Sequence, residues 1–282
     1  LYSTDASVYR EVPSAVARPS TVSDIKKLIR FAAQNKMTLI PRGAGTSLAG
    51  QVVGDGIIVD ISKYFNRIIE INASERWVRV ETGVVLDELN QHLGPYGLFF
   101  APETSTSNRC MIGGMVGNNS CGSHSLIYGS TRDHLLEVKA LLSDGTEVIF
   151  RSLTDEEFIE KTSLKNLEGE IYRNIFHILS DNENQAEIMA EYPDPLVKRR
   201  NTGYAIDSLL NMRPFNPAGM PFNFSALIAG SEGTLAFITE VKLALVPLPP
   251  SAKGLLCIHL NSVEEALQAN LVCLKHDPDA VE

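Results

Sequence analysis

From Cys110 to Thr131 the chain carries no Asp, Glu, Lys or Arg, yet the stretch is crowded with Gly, Ser and Asn. That combination excludes most structural uses. It is too polar for a membrane-spanning helix, too poor in large apolar side chains for a core segment, and too long for an ordinary surface loop. A backbone lying along a polar, elongated ligand meets all three conditions, with a surface loop as the alternative. The rest of the chain is globular in composition: 282 residues, 44% hydrophobic and 21% charged, with a net charge of −9. Such a length buries a sizeable core without metal or disulfide staples. An acidic chain without a Lys/Arg block disfavours nucleic acid and anionic lipid as partners. Four cysteines are too few for a disulfide framework and form no Cys-x-x-Cys pair, which points to a reduced, cytoplasmic compartment. The first residue is Leu1 and no charged-then-apolar leader follows, so a piece of a longer protein is expected.

Periodicity organises the chain. Ile25, Leu28, Ile29, Ala32 and Ala33 predict a helix over 21–36, with Thr21 and Asp24 as a capping box. Strands are expected at 38–41 and 57–60, with a glycine-rich loop leaving the first. Trp77, Val78 and Val80 read as a strand, and Val85 to Leu93 as a short helix. Residues 101–131 show no helical period. Residues 135–150 predict a hairpin around Asp144-Gly145. Residues 154–191 read as mostly helical, 211–224 as a proline-bearing loop, 234–249 as β-rich, 254–260 as a strand and 262–275 as a helix.

Three motifs carry chemistry. The first is Pro41-Arg42-Gly43-Ala44-Gly45-Thr46-Ser47-Leu48-Ala49-Gly50-Gln51. Small residues after a strand let backbone N–H groups approach an anion, and Thr46 and Ser47 add hydroxyls. Position 48 is not Gly, so the loop is no dinucleotide fingerprint. Gly50 is followed by Gln51 rather than Lys, so it is no triphosphatase loop either. A tight turn explains the same residues and stays open. The second motif runs from Pro102 through the uncharged stretch to Gly129. The third, Gly230-Ser231-Glu232-Gly233-Thr234, says by itself only that the chain turns. The six histidines show no metal-ligand spacing, so no metal site is expected.

In this order the motifs resemble those of the FAD-linked oxidase family with the vanillyl-alcohol-oxidase-type flavin fold. Within it they are most similar to the branch of D-lactate dehydrogenase, the FAD subunit of glycolate oxidase and D-2-hydroxyglutarate dehydrogenase. The likeness spans roughly residues 9–250. It implies an α+β, two-subdomain FAD-binding fold of vanillyl-alcohol-oxidase (PCMH) type. Residues 1–75 and 76–250 would be its subdomains, and 251–282 the start of a truncated substrate or cap domain.

The resemblance also implies roles. Pro41, Arg42, Gly43, Ala44, Gly45, Thr46 and Ser47 would form the pyrophosphate loop. Pro102, Thr104, Ser107, Gly113, Gly114, Gly117, Asn119, Ser120 and Ser123 would line the flavin and its ribityl chain. Gly233 and Ile238 would meet the adenine end or the dinucleotide backbone. Relatives with covalent FAD often carry His where Thr46 stands, so non-covalent FAD is expected, Cys110 and Cys121 being the remaining points of attachment. Lys198 to Tyr204 resembles an element near the substrate, with Arg200, Asn201 and Tyr204 as substrate-side candidates. A solvated basic patch is the alternative there.

The implied activity is oxidation of a D-2-hydroxy acid (D-lactate, glycolate or D-2-hydroxyglutarate) to the 2-oxo acid, with hydride passing to flavin N5. The catalytic base is expected beyond residue 282. An electron acceptor is implied, with an iron–sulfur domain or subunit as one form of it. So is a cytoplasmic location, with attachment to a membrane through a partner as a variant. Two other readings stand beside this one: a flavin-binding module inert on its own, and an oxidase of another alcohol or sugar on the same fold.

Overall fold

The computed structural model describes every residue except Pro195, Leu196, Lys198, Thr202 and Glu282. The chain opens with β1 (Ala15–Ala17), α1 (Val22–Asn35), β2 (Leu39–Arg42) and β3 (Ile57–Asp60). These strands form a parallel sheet in the order β1-β3-β2. The central strand, Ile-Ile-Val-Asp, is buried along its whole length, as a parallel strand covered on both faces must be. Ile25 and Ile29 of α1 pack onto Ile57 and Val59, and Leu141 and Phe237 join that cluster from the larger sheet.

Helix α1 begins where the sequence places it. Thr21 accepts from the Asp24 N–H, and the Asp24 side chain returns to the Thr21 backbone N–H. Hydrogen bonds from Thr21, Ser20 and Lys27 hold the Asp24 carboxyl down at about 2. Because that value is depressed, the stabilisation is complete above the ordinary carboxylate value of 3.8 and is lost as pH falls through about 2. The difference in urea midpoint between the parent chain and Asp24→Asn is therefore expected to close between about pH 4 and pH 2. A difference that persists unchanged at pH 2 would show that the box does not depend on the carboxylate. Thr21→Ala is expected to lose about 1 kcal/mol at neutral pH.

The second sheet has five strands and is antiparallel throughout. It contains β4 (Ile68–Asn72), β5 (Trp77–Glu81), β7 (Leu135–Leu141), β8 (Glu147–Phe150) and β9 (Phe237–Ala244), in the order β4-β5-β9-β7-β8. Between β5 and β7 lie α2 (Leu86–Leu93), β6 (Leu98–Phe99), α3 (Ile112–Asn118) and α4 (Ser125–Tyr128). After β8 come α5 (Asp155–Ser163), α6 (Leu167–Ser180), α7 (Asn182–Glu191), α8 (Ile206–Leu210) and α9 (Ser225–Ile228). Strand β10 (Val246–Pro247) pairs with β6, and α10 (Val263–Cys273) runs into a short 3-10 turn at Leu274–His276.

Strand β9 alternates buried and half-buried residues, so Val241 and Leu243 face the core. On its other face Glu240 meets Lys139, and Lys242 lies over Trp77 and reaches Glu137. The core side is covered by Leu86, Leu89 and Leu93 of α2 and by Ile112, Met115 and Val116 of α3.

Two elements differ from the sequence reading. Residues 112–118 are helical, although no helical period is legible across 101–131. Ile112, Met115 and Val116 do make a one-turn stripe, but three glycines among seven residues hide it, since Gly is a poor helix former. Conversely, 254–260 forms no strand. Leu255 and Leu256 are exposed, and among the described residues no neighbouring strand takes up their backbone. The boundary read at 75/76 falls in the turn between β4 and β5, whose strands share one sheet.

Candidate functional site

Strand β2 ends at Arg42, and the loop that follows turns on Gly45 and Gly50, both at positive φ. Among the described residues, the backbone N–H groups of Gly43, Ala44, Gly45, Thr46 and Ser47 donate to no protein acceptor. Loops usually satisfy such donors with backbone, side chain or water. Five consecutive donors without a protein acceptor, on small residues, are of the kind that suits an anion.

The Arg42 side chain lies under this run, against Gly45. Its guanidinium is buried and donates to the carbonyls of Thr4 at 2.7 Å and Val52 at 3.2 Å. It lies so close under Gly45 that a Cβ there would sit 2.5 Å from Nη2.

Opposite the loop stands α3. Its apolar stripe faces the sheet, which leaves Gly113, Gly114 and Gly117 toward the loop. Gly113 is packed against the chain: its N–H donates to Thr82 O, and a Cβ would lie 2.6 Å from Thr82 Cβ. Around Gly114 a Cβ would meet nothing within 4 Å. The helix ends at Asn119, in the left-handed conformation that Asn tolerates. The carbonyl of Gly117 near the helix end accepts the Glu232 N–H, and that of Val116, which also takes the Asn119 N–H, accepts the Gly230 N–H. That docking brings the Gly230–Thr234 turn to the same place.

The three motifs thereby enclose one cleft. Pro41, Arg42, Gly43 and Ser47 line one side, Gly113, Gly114 and Gly117 another, and Gly233 and Ile238 a third. The space between these walls amounts to about 620 Å³, counted out into open solvent. Residues that sequence reasoning did not single out also line it, including Val52, Ile61, Thr82, Glu232 and Phe237. Thr82 is buried, and its Oγ1 has no partner among the described residues. Its Thr-Gly pair closing β5 was the available signal. Burial raises the Glu232 carboxyl above the usual carboxylate range, against the opposing pull of Gln51.

Other expected ligand residues engage the protein itself. The Thr104 hydroxyl faces Cys110 Sγ at 3.2 Å, and the Ser107 carbonyl accepts Asp87 N–H. Pro102 is buried. Ser120 accepts from Asn118, and its carbonyl from Thr131. Asn119 is fully buried: its Oδ1 accepts Arg132 N–H, and its carbonyl accepts from Asn201. Ser123 and His124 both donate to Glu103. Burial would raise that carboxyl, but the hydrogen bonds from His124 and Ser123 outweigh it and hold the group below its ordinary value. Ala44, Gly45 and Thr46 belong to the loop but not to the cleft wall.

Of the substrate-side candidates, Lys198 and Thr202 lie outside the described residues. Arg200 makes a bidentate pair with Asp207 on α8. Its charge is matched within the fold. Tyr204 is half exposed, and its hydroxyl meets Thr234 Oγ1 at 2.6 Å, beside the third motif. Among the described residues, no three His, Cys, Asp or Glu side chains come together as metal ligands, and no helix is long and apolar enough to cross a membrane.

Residues 13–151 match the FAD binding domain family. The chain is 40% identical over 270 residues to D-2-hydroxyglutarate dehydrogenase of Escherichia coli (strain K12), covering 94% of this chain and 25% of that protein. It is 36% identical over 282 residues to the Pseudomonas putida (strain KT2440) protein of the same name, covering 99% and 27%. Glycolate oxidase subunit GlcD of Bacillus subtilis (strain 168) is 26% identical, covering 100% and 48%. The chain thus spans about a quarter of the length of the dehydrogenases it matches. Among solved structures, an alkyldihydroxyacetonephosphate synthase superposes with a TM-score of 0.54 at 16% identity, covering 84% of this chain and 34% of that one. The superposition speaks to fold alone.

Proposed function

We propose that this chain, which belongs to the FAD-linked oxidase family with the vanillyl-alcohol-oxidase-type flavin fold, binds FAD non-covalently in the cleft. We also propose that the whole protein oxidises a D-2-hydroxy acid to the 2-oxo acid. The observation that carries the reading is the run of N–H groups without a protein acceptor from Gly43 to Ser47, whose two ends line the same cleft as Thr82, with its unpartnered Oγ1, and the open backbone of Gly114. These donors suit a diphosphate, and the glycine face suits a long ligand laid against backbone. FAD, when bound, supplies the two-electron acceptor. This chain's residues hold and orient it, with Tyr204 the group best placed to reach the substrate side.

Relatives at 36–40% identity carry the name D-2-hydroxyglutarate dehydrogenase, so D-2-hydroxyglutarate is the first substrate to test in the whole protein, ahead of D-lactate and glycolate. Non-covalent binding is supported by Thr46, which cannot form a histidyl bond, and by Cys110. Burial pushes the Cys110 thiol up, away from the thiolate that attachment would need.

Titration of the purified chain with FAD, followed by acid precipitation, tests the proposal. Flavin colour is expected to bind and then to leave with the supernatant. Colour retained in the pellet would overturn non-covalent attachment, and no binding at excess FAD would overturn the cofactor reading. With D-2-hydroxyglutarate added anaerobically to the whole protein, bleaching of the flavin is expected. Its absence with all three acids would favour an oxidase of another alcohol.

A further inference from the structure

Residues 1–14 precede or barely enter the stretch that matches the FAD binding domain family, which begins at residue 13. They fold back as a hairpin strap over the phosphate loop. Thr4 bridges Arg10, Glu11 N–H donates to Ser3 O, and Ser14 N–H reaches the carbonyls of Asp55 and Gly56. Tyr9 presses on Gly50, where a Cβ would lie 2.8 Å from its ring. Tyr2 donates to Asp60 at 2.7 Å, and its ring lies 5.6 Å from the Arg42 guanidinium carbon. Thr4 O takes one Arg42 N–H, and Val52 O takes another.

Arg42 is thus a buried cation whose partners are two carbonyls and a ring. Among the described residues it pairs with no carboxylate, although it lines the cleft directly beneath the free N–H groups. The acidic group across from it, Asp60 on β3, accepts the Tyr2 hydroxyl rather than pairing with it. A buried charge without a close ion pair is costly, and an anion on the loop above would supply one. Thr82 Oγ1, buried and unpartnered in the same cleft, points independently to a polar ligand there.

We propose that Arg42 is a positioning residue whose buried charge sets affinity for the diphosphate of the cofactor, and that the strap of residues 2–11 holds it in place. The proposal rests on the cofactor reading above. Diphosphate affinity then depends on two tyrosines, Tyr2 and Tyr9, that need not touch the ligand. Anything that lifts the strap would release FAD through its diphosphate rather than through its flavin ring.

The test compares the parent chain with Arg42→Met, Arg42→Lys, Tyr2→Leu and Tyr9→Ala, with Lys27→Met, an exposed side chain of α1, as a charge control. FAD binding is titrated by flavin fluorescence. ADP and inorganic pyrophosphate are used as competitors, and folding is followed by far-UV circular dichroism. Arg42→Met is expected to weaken FAD and ADP by a similar factor of about ten or more, and to flatten the salt dependence of ADP binding. Arg42→Lys should fall between, since it keeps the charge but cannot reach both carbonyls. Tyr2→Leu and Tyr9→Ala should weaken both ligands several-fold, and Lys27→Met neither.

If Arg42→Met fails to fold, Tyr2→Leu decides. Folded Tyr2→Leu protein with parent affinity for FAD and ADP overturns the proposal, as does folded Arg42→Met with parent affinity. A parent chain that binds no FAD overturns the cofactor reading instead, and competition by ADP or pyrophosphate is then absent in every variant.

Discussion

Gly114→Ala is expected to give a protein that melts higher than the parent without cofactor and yet binds FAD about ten-fold or more weakly. The two effects have separate causes. Gly114 sits inside α3, where Gly is about 0.5–1 kcal/mol worse than Ala, and no protein atom lies within 4 Å of the added Cβ. The fold therefore gains. The methyl instead occupies the cleft face, where the proposed cofactor would lie against backbone, and overpacking there would cost about 1–3 kcal/mol of binding, each 1.4 being about ten-fold.

Its neighbour is the contrast. A Cβ on Gly113 would lie 2.6 Å from Thr82 Cβ and 3.0 Å from Thr82 O, so Gly113→Ala should lose stability and affinity together. Thermal melts of the cofactor-free variants with FAD titrations read both quantities. Parent-like FAD binding by Gly114→Ala would mean that the open glycine face is not where the cofactor lies.

These two glycines show what was legible in the sequence. The glycines of 41–51 and 230–234, like those of 113–117, stand out because few residue types meet a close backbone approach, so the residue identities themselves report the constraint. What each glycine is for does not show, because it depends on whether Thr82 or open space lies opposite. The polar residues around them were harder still. The resemblance makes Asn119, Thr104 and Ser123 ligand donors, and the structure gives each a protein partner: Arg132, Cys110 and Glu103. Arg200 reads as a free cation until α8 brings Asp207 against it. The strap is invisible for the same reason. Its grip on Arg42 runs through the backbone carbonyl of Thr4, which any residue could supply. Strand β1 escaped because three residues carry too little period to read, and β4 because its residues do not alternate between buried and exposed.

The largest loss of stability is expected at Phe222. Its ring is 1% exposed and stands 4.8 Å from the ring centroids of both Phe158 and Phe224, with Tyr172 and Phe215 just beyond. Its carbonyl also accepts Leu153 N–H. This cluster is what attaches α5 and α6 to the sheet. Phe158 is the only buried residue of α5, and the remaining faces of that helix are polar. Phe222→Ala removes the common contact of the cluster and leaves a cavity, for which about 3–5 kcal/mol is expected. Against a total stability of about 5–15 kcal/mol, that is enough to unfold a marginal chain. Phe176 is 40% exposed at the rim of the same cluster, so Phe176→Ala should lose clearly less. Urea unfolding measures both, and a fall in midpoint at unchanged slope would localise the effect to the folded state. A loss below about 1 kcal/mol at Phe222 would mean that the cluster repacks around the gap. The 211–224 loop would then lie over the helices without tying them to the sheet.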